Sequence, residues 1–197
     1  MMANSENSVL VIIDVQLKLA QAMPDGVRER LNKQIRILLS AAKVLNIPVI
    51  VTEQYPKGLG PTESDLQNNL PVGTKTIEKT CFSCLQSEDF RFQLAATNRQ
   101  QVILVGMETH ICVLQTALAL QAENFNVHVA EDGVCSRSKS NQYNAIQRMR
   151  HAGVVISNVE SLLFEWLGDA SHAESACHVK ASRTAAPCRR HTQVLPD

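Results

Sequence analysis

QVILVGMETHICVLQTALAL, residues 101–120, is the stretch whose reading decides the fold. Val102, Ile103, Leu104 and Val105 form an unbroken branched aliphatic run, the pattern of a strand buried on both faces of a parallel sheet. Gly106 ends the run. Beyond Thr109, apolar residues fall at Ile111, Leu114 and Leu118 and again at Val113, Ala117 and Leu120, which is helical spacing on more than one face. Strand, tight turn and buried helix therefore follow in close succession. Thr109 is an acceptable N-cap and puts Cys112 in the first helical turn, where unpaired N–H groups and the helix dipole favour a thiolate. The plain alternative is that Cys112 is a small buried hydrophobe.

The flanking sequence extends the pattern in both directions. Ser8 to Ile13 is another all-apolar strand, and it ends on Asp14. Ligands of open α/β sheets bind beyond the carboxyl ends of the strands, so Asp14 stands where a catalytic group belongs, or else caps a turn. After Pro24-Asp25-Gly26, Val27, Leu31, Ile35, Leu38, Ala42 and Leu45 recur at three- and four-residue steps, predicting a long amphipathic helix ending near Asn46. A second strand, Pro48 to Glu53, follows at once. Residues 54–74 lose all periodicity and are rich in turn formers, a length of loop that usually has a function or an interface. Lys75 to Lys79 alternates as a short strand that delivers Lys79 to the same edge as Asp14. Ser87 caps a helix through Thr97. Downstream, Asn126 to Ala130 reads as a strand with a turn beginning at Asp132-Gly133. A helix over Ser140–His151 turns Tyr143, Ile146 and Met149 inward, Val154 to Ser157 is the last strand, and a closing helix starts at Ser161. The sum is a doubly wound three-layer α/β/α sandwich around a mainly parallel sheet of about six strands.

Composition bounds the partners. The chain has 197 residues, with lysine plus arginine equal to aspartate plus glutamate at 19 each, so no global field recruits nucleic acid or an anionic membrane. Residues 1–168 read as one domain and residues 169–197 as a polar tail. No basic leader and no apolar run of membrane-spanning length is visible, and six irregularly spaced cysteines in such a chain point to reduced thiols and a cytoplasmic setting.

The combination of Ile13-Asp14-Val15-Gln16, Lys79 and Gly106-Met107-Glu108-Thr109-His110-Ile111-Cys112 resembles the isochorismatase-like cysteine hydrolase superfamily. The segments Thr52 to Thr62 and Glu78 to Ser83 look like the subgroup of isochorismatase domain-containing proteins, and the resemblance runs from about Ser8 to Gly168. It implies an Asp14-Lys79-Cys112 triad in which Cys112 attacks an electrophilic, usually amide, carbon. Asp14 would shuttle the proton, and Lys79 would hold Asp14 and favour the thiolate. It also implies a cis peptide between Met107 and Glu108 that turns the N–H groups of Glu108 and Cys112 toward one another as an oxyanion hole, making the side chain at 108 less important than its backbone. Leu19, Tyr55 and Phe82 line the pocket by the same analogy, and self-association as a homo-oligomer is expected.

Departures from the family narrow the chemistry. Metal-dependent nicotinamidases carry an aspartate and histidines after the second strand, whereas Glu53-Gln54-Tyr55-Pro56 contains no histidine, so neither a metal nor a cofactor is expected. Isochorismatases that cleave a vinyl ether can lack the cysteine, so Cys112 favours amide-like carbon–nitrogen cleavage of a small-molecule substrate. A vinyl-ether hydrolase, a non-catalytic binding or scaffold protein of the same fold, and a thiol redox protein using Cys81 and Cys84 are the competing readings. His110 is rotated away from Cys112, His128 reads as core or interface, and Arg137 as an ion-pairing residue. Cys177, His178, Cys188 and His191 would be the metal candidates of the tail.

Overall fold

The computed structural model describes residues 1–169, and the predicted polar tail beyond Asp169 lies outside them, with Cys177, His178, Cys188 and His191. Six strands form one sheet in the order β3-β2-β1-β4-β5-β6, every neighbouring pair parallel. They are β1 (Ser8–Ile13), β2 (Val49–Gln54), β3 (Thr76–Lys79), β4 (Gln101–Met107), β5 (Asn126–Cys135) and β6 (Val155–Ser157). The helices are α1 (Leu17–Gln21), α2 (Val27–Val44), α3 (Pro56–Leu59), α4 (Ser64–Gln67), α5 (Glu88–Ala96), α6 (Leu114–Ala122), α7 (Lys139–His151) and α8 (Val159–Leu167). The expected three-layer sandwich is thus the architecture observed.

Strand composition explains the layering. Every residue of β1 and β4 is buried, and successive side chains serve opposite faces. Leu10, Ile12, Ile103 and Val105 meet Leu31, Ile35 and Leu38 of α2 and Leu162, Leu163 and Trp166 of α8. Val9, Val11, Ile13, Val102 and Leu104 meet Phe90 and Leu94 of α5, Leu114 and Leu120 of α6, and Ile146 and Met149 of α7. Each such aliphatic side chain contributes about 1.5–3 kcal/mol of burial. The caps expected at Ser87 holds, its hydroxyl accepting from the Phe90 N–H. The chain winds from β1 through β2 to β3, then returns to lay β4 against the other side of β1. A topological switch point therefore opens between the carboxyl ends of β1 and β4.

Three local expectations differ. Asp132-Gly133 does not begin a turn after β5 but lies within it: Val129 pairs with Leu104 and Val134 with Gly106, so the intervening residues bulge and the strand resumes to reach Met107 through Cys135. Tyr143 is 67% exposed, because the buried stripe of α7 runs through Ala145, Ile146 and Met149 and Tyr143 sits about 100° around the helix from its centre. The long loop after β2 carries α3 and α4, two single turns too short to register as periodicity.

Gly106 has no room for any other residue. Its φ is +120°, and a Cβ there would lie 2.1 Å from the Ile13 carbonyl oxygen and 2.8 Å from its nitrogen, both backbone atoms of the neighbouring central strand. Gly106→Ala is expected to destabilise the protein by more than about 3 kcal/mol in urea unfolding. Gly73→Ala, at a φ of +84° with nothing within 4 Å, should cost only about 1–2 kcal/mol.

Candidate active site

β1 delivers Asp14 into the switch point with a φ of +52°, a turn that aims its carboxylate back over the edge of the sheet. Its N–H still extends the ladder, donating to the Thr52 carbonyl at 3.1 Å. On β3, Ile77 and Lys79 are the buried alternate positions, and the pairing of Gln54 with Lys79 brings the lysine in from two strands away. The Lys79 ammonium donates to Asp14 Oδ2 at 2.7 Å, to Gln54 Oε1 at 2.8 Å and to the Cys81 carbonyl at 3.3 Å. All three of its protons are thereby engaged. Both side chains of the ion pair are fully buried. The second carboxylate oxygen, Oδ1, accepts the Thr52 hydroxyl at 2.7 Å.

Cys112 reaches the same carboxylate from β4. Beyond Glu108 the chain enters a π-helical turn, Thr109–Val113, in which the Glu108 carbonyl accepts from the N–H groups of Ile111 (3.1 Å) and Val113 (3.3 Å). Regular α6 begins only at Leu114. Thr109 does not cap it; Glu108 occupies the position before the turn, and the Thr109 hydroxyl is buried without a partner. The peptide between Met107 and Glu108 is cis, as the resemblance implied.

Electrostatics reverse one expectation. Burial first, and then the Asp14 charge, push the Cys112 thiol well above its ordinary range, with Lys79 pulling only partly the other way. At neutral pH Cys112 is therefore a neutral thiol facing a carboxylate, rather than a thiolate stabilised by a helix terminus. Lys79 itself is held protonated. Burial works against the ammonium, but the charge of Asp14, together with those of Cys84 and Cys112 when ionised, raises its pKa above the usual lysine value.

Glu108 has a larger role than its backbone alone. Its buried carboxylate accepts from the Arg137 N–H (3.1 Å), Nε (3.0 Å) and NH2 (3.2 Å), tying the turn before Cys112 to the segment that follows β5. His110 points to the same segment, with Nδ1 3.0 Å from the Ser136 hydroxyl. Arg137 is thus the ion-pairing residue expected. Buried Gln16 braces the opposite rim, donating to the carbonyls of Gln54 and Gly60 and accepting from the Gln54 N–H.

Tyr55, Lys79 and Cys81 line a cleft of about 520 Å³ at this edge. Tyr55 and Phe82 are both more than half exposed, whereas Leu19 is partly buried against the core beneath α2. Glu53 serves the loop instead of a metal, accepting the Thr62 N–H at 2.6 Å and hydroxyl at 2.7 Å. Among the described residues no group of three or more His, Cys, Asp or Glu side chains is placed to hold a metal ion. Cys81, Cys84, Cys112 and Cys135 are free thiols. His128 lies wholly in the core, neither ring nitrogen hydrogen-bonded, and burial lowers its pKa. The sequence reading did not single out Thr52 or Gln54 as site residues. Their signal was polarity, the run Thr52-Glu53-Gln54 closing a strand that opens on Val49-Ile50-Val51.

Residues 8–161 match the family model described as the isochorismatase domain. The mouse protein called isochorismatase domain-containing protein 2A is 38% identical over 173 residues, spanning 86% of this chain and 79% of its own. Among solved structures, one called MAR1 ribonuclease from Caenorhabditis elegans superposes with a TM-score of 0.86 at 35% identity, covering 100% of this chain and 98% of that one. The YcaC gene product of Escherichia coli, described as an octameric hydrolase of unknown specificity, shares the fold at a TM-score of 0.87 and 22% identity, over 94% and 92% of the two chains. On the family match and the identity to the mouse protein, this chain belongs to the isochorismatase family.

Proposed function

We propose that the chain is a cysteine hydrolase that cleaves a carbon–nitrogen, amide-like bond of a small molecule through a covalent intermediate on Cys112. The observation that carries this reading is convergence on one carboxylate: Asp14 holds a buried ammonium at 2.7 Å, and its charge acts directly on the Cys112 thiol. In the proposed first step the Cys112 sulfur adds to the carbonyl carbon as its proton passes to Asp14. The carbon–nitrogen bond then breaks as Asp14 returns that proton to the departing nitrogen. Water, deprotonated by Asp14, hydrolyses the thioester and restores the thiol. Lys79, its donors already engaged, holds Asp14 in place and balances its charge. The N–H groups of Glu108 and Cys112 are the proposed oxyanion donors, with Arg137 steadying the Glu108 peptide through the side chain. No step requires a metal or cofactor.

The neutral ion pair and neutral thiol favour an uncharged substrate, with Tyr55, Phe82 and Leu19 as the proposed pocket surface. The hydrolase domain is taken as residues 1–168 and the polar tail as residues 169–197. The free thiols support a cytoplasmic setting, and no helix among the described residues is long and apolar enough to cross a membrane. A homo-oligomer is proposed by analogy with the octamer named for the E. coli neighbour.

Small neutral amides screened by intact mass should leave an acyl adduct on wild-type protein and none on Cys112→Ala. Turnover of the best substrate should fall at least about a thousandfold in Cys112→Ala. An RNA oligonucleotide belongs in the same screen because of the worm relative's name. Cleavage of either substrate class by Cys112→Ala at the wild-type rate would overturn the proposal.

The pH profile of Cys112 alkylation by iodoacetamide, mapped by peptide mass, tests the electrostatics. A raised thiol pKa predicts a high-pH limb that keeps climbing above the ordinary thiol value of about 8.5. Asp14→Asn removes the charge that raises the thiol, so this limb should move to lower pH while the labelling assisted by the carboxylate at neutral pH disappears. Lys79→Ala should move the same limb to higher pH. A flat profile at neutral pH that neither variant alters would contradict the assignment.

A further inference from the structure

Thr52 and Cys84 are both fully buried beside the triad. The Asp14 carboxylate can only accept, so the single Thr52 hydroxyl proton goes to Oδ1 at 2.7 Å. The oxygen lone pairs are then left for a donor, and the Cys84 sulfur stands 3.9 Å away. Cys84 is itself fixed from behind, its N–H donating to the Thr116 hydroxyl at 3.0 Å, one helical turn after Cys112. Burial pushes the Cys84 thiol up to about 11, so it keeps the proton that this arrangement needs at neutral pH. Along this chain the S–H of Cys84 donates to the oxygen of Thr52, and the O–H of Thr52 to Asp14.

We propose that Thr52 is a positioning residue for Asp14, fixing the carboxylate between hydroxyl and ammonium so that it faces Cys112, and that Cys84 orients the Thr52 hydroxyl. The inference rests on the triad reading above and extends it to two residues outside the triad. A valine at position 52 would keep the β-branched shape and lose the hydrogen bond. A serine would keep the hydrogen bond and lose a methyl group. With Oδ1 undonated, the carboxylate takes up a proton more readily and is free to turn about its last bond.

The test is the low-pH limb of Cys112 alkylation by iodoacetamide, followed in the full chain by peptide mass, with thermal unfolding recorded beside it. Thr52→Val is expected to move that limb up by about one pH unit. Thr52→Ser should retain the wild-type limb even if it lowers the unfolding temperature, and Cys84→Ala should shift the limb in the same direction as Thr52→Val by a smaller amount. Thr52→Ala carries the same expectation as the valine and keeps the comparison available if one of them folds poorly. A Thr52→Val or Thr52→Ala profile that superimposes on wild type, in protein whose profile does respond to Asp14→Asn, overturns the positioning role alone. A profile that Asp14→Asn leaves unchanged overturns the triad reading and the positioning role with it.

Discussion

The buried ion pair between Lys79 and Asp14 is the constraint around which this molecule is arranged. Taking an ammonium and a carboxylate out of water costs several kcal/mol per ion, and their attraction offsets this only when the remaining donors and acceptors are also satisfied. That requirement accounts for much of the sheet edge. Gln54 and the Cys81 carbonyl complete the ammonium, and Thr52 completes the carboxylate. Each comes from β2 or from the turn after β3, so the parallel order β3-β2-β1 is what allows the charges to be buried together. Gln16 then ties the end of β2 to the loop at Gly60, holding the edge closed.

The pairing also shapes the surroundings of Cys112. A lysine free to face Cys112 would lower the thiol pKa and leave a standing thiolate. Here the lysine is neutralised by the aspartate, and burial leaves the sulfur protonated. On the proposed mechanism, reactivity is conditional on something that takes the place of solvent and presents an electrophilic carbon, at which point the adjacent carboxylate can accept the proton. A cysteine held this way is poorly suited to adventitious oxidation or alkylation, because those reactions run through the thiolate.

Much of the fold was legible because β1 and β4 are aliphatic at every position from Val9 to Ile13 and from Val102 to Val105, the pattern of a doubly covered parallel strand. Asp14 was legible as a candidate because it follows such a run, Lys79 because it ends the short alternating β3, and Cys112 because it lies in the turn that follows β4. Thr52 and Gln54 were not, since their role exists only in the register that pairs β2 with β3 and lays both beside Asp14. Glu108 was undervalued because its partner, Arg137, lies beyond an entire helix and strand. The bulge in β5 hid behind Asp132-Gly133, a dipeptide that ordinarily signals a turn but here lets a strand lengthen past an irregularity. Tyr143 shows the limit of helical spacing, where one residue off the stripe changes inside to outside.

The position of β4 has a consequence for how the chain comes into being. Synthesis delivers β1, β2 and β3 first, and in that partial sheet β1 is an edge strand whose whole sequence, from Ser8 to Ile13, is destined for full burial. An unpaired apolar edge of that kind is a template for pairing with another nascent chain. Only when Gln101 to Met107 has emerged does β4 cover it, and the same docking event carries Cys112 up to Asp14. The hazard to the growing polypeptide and the assembly of its candidate site thus end together, at a single strand insertion.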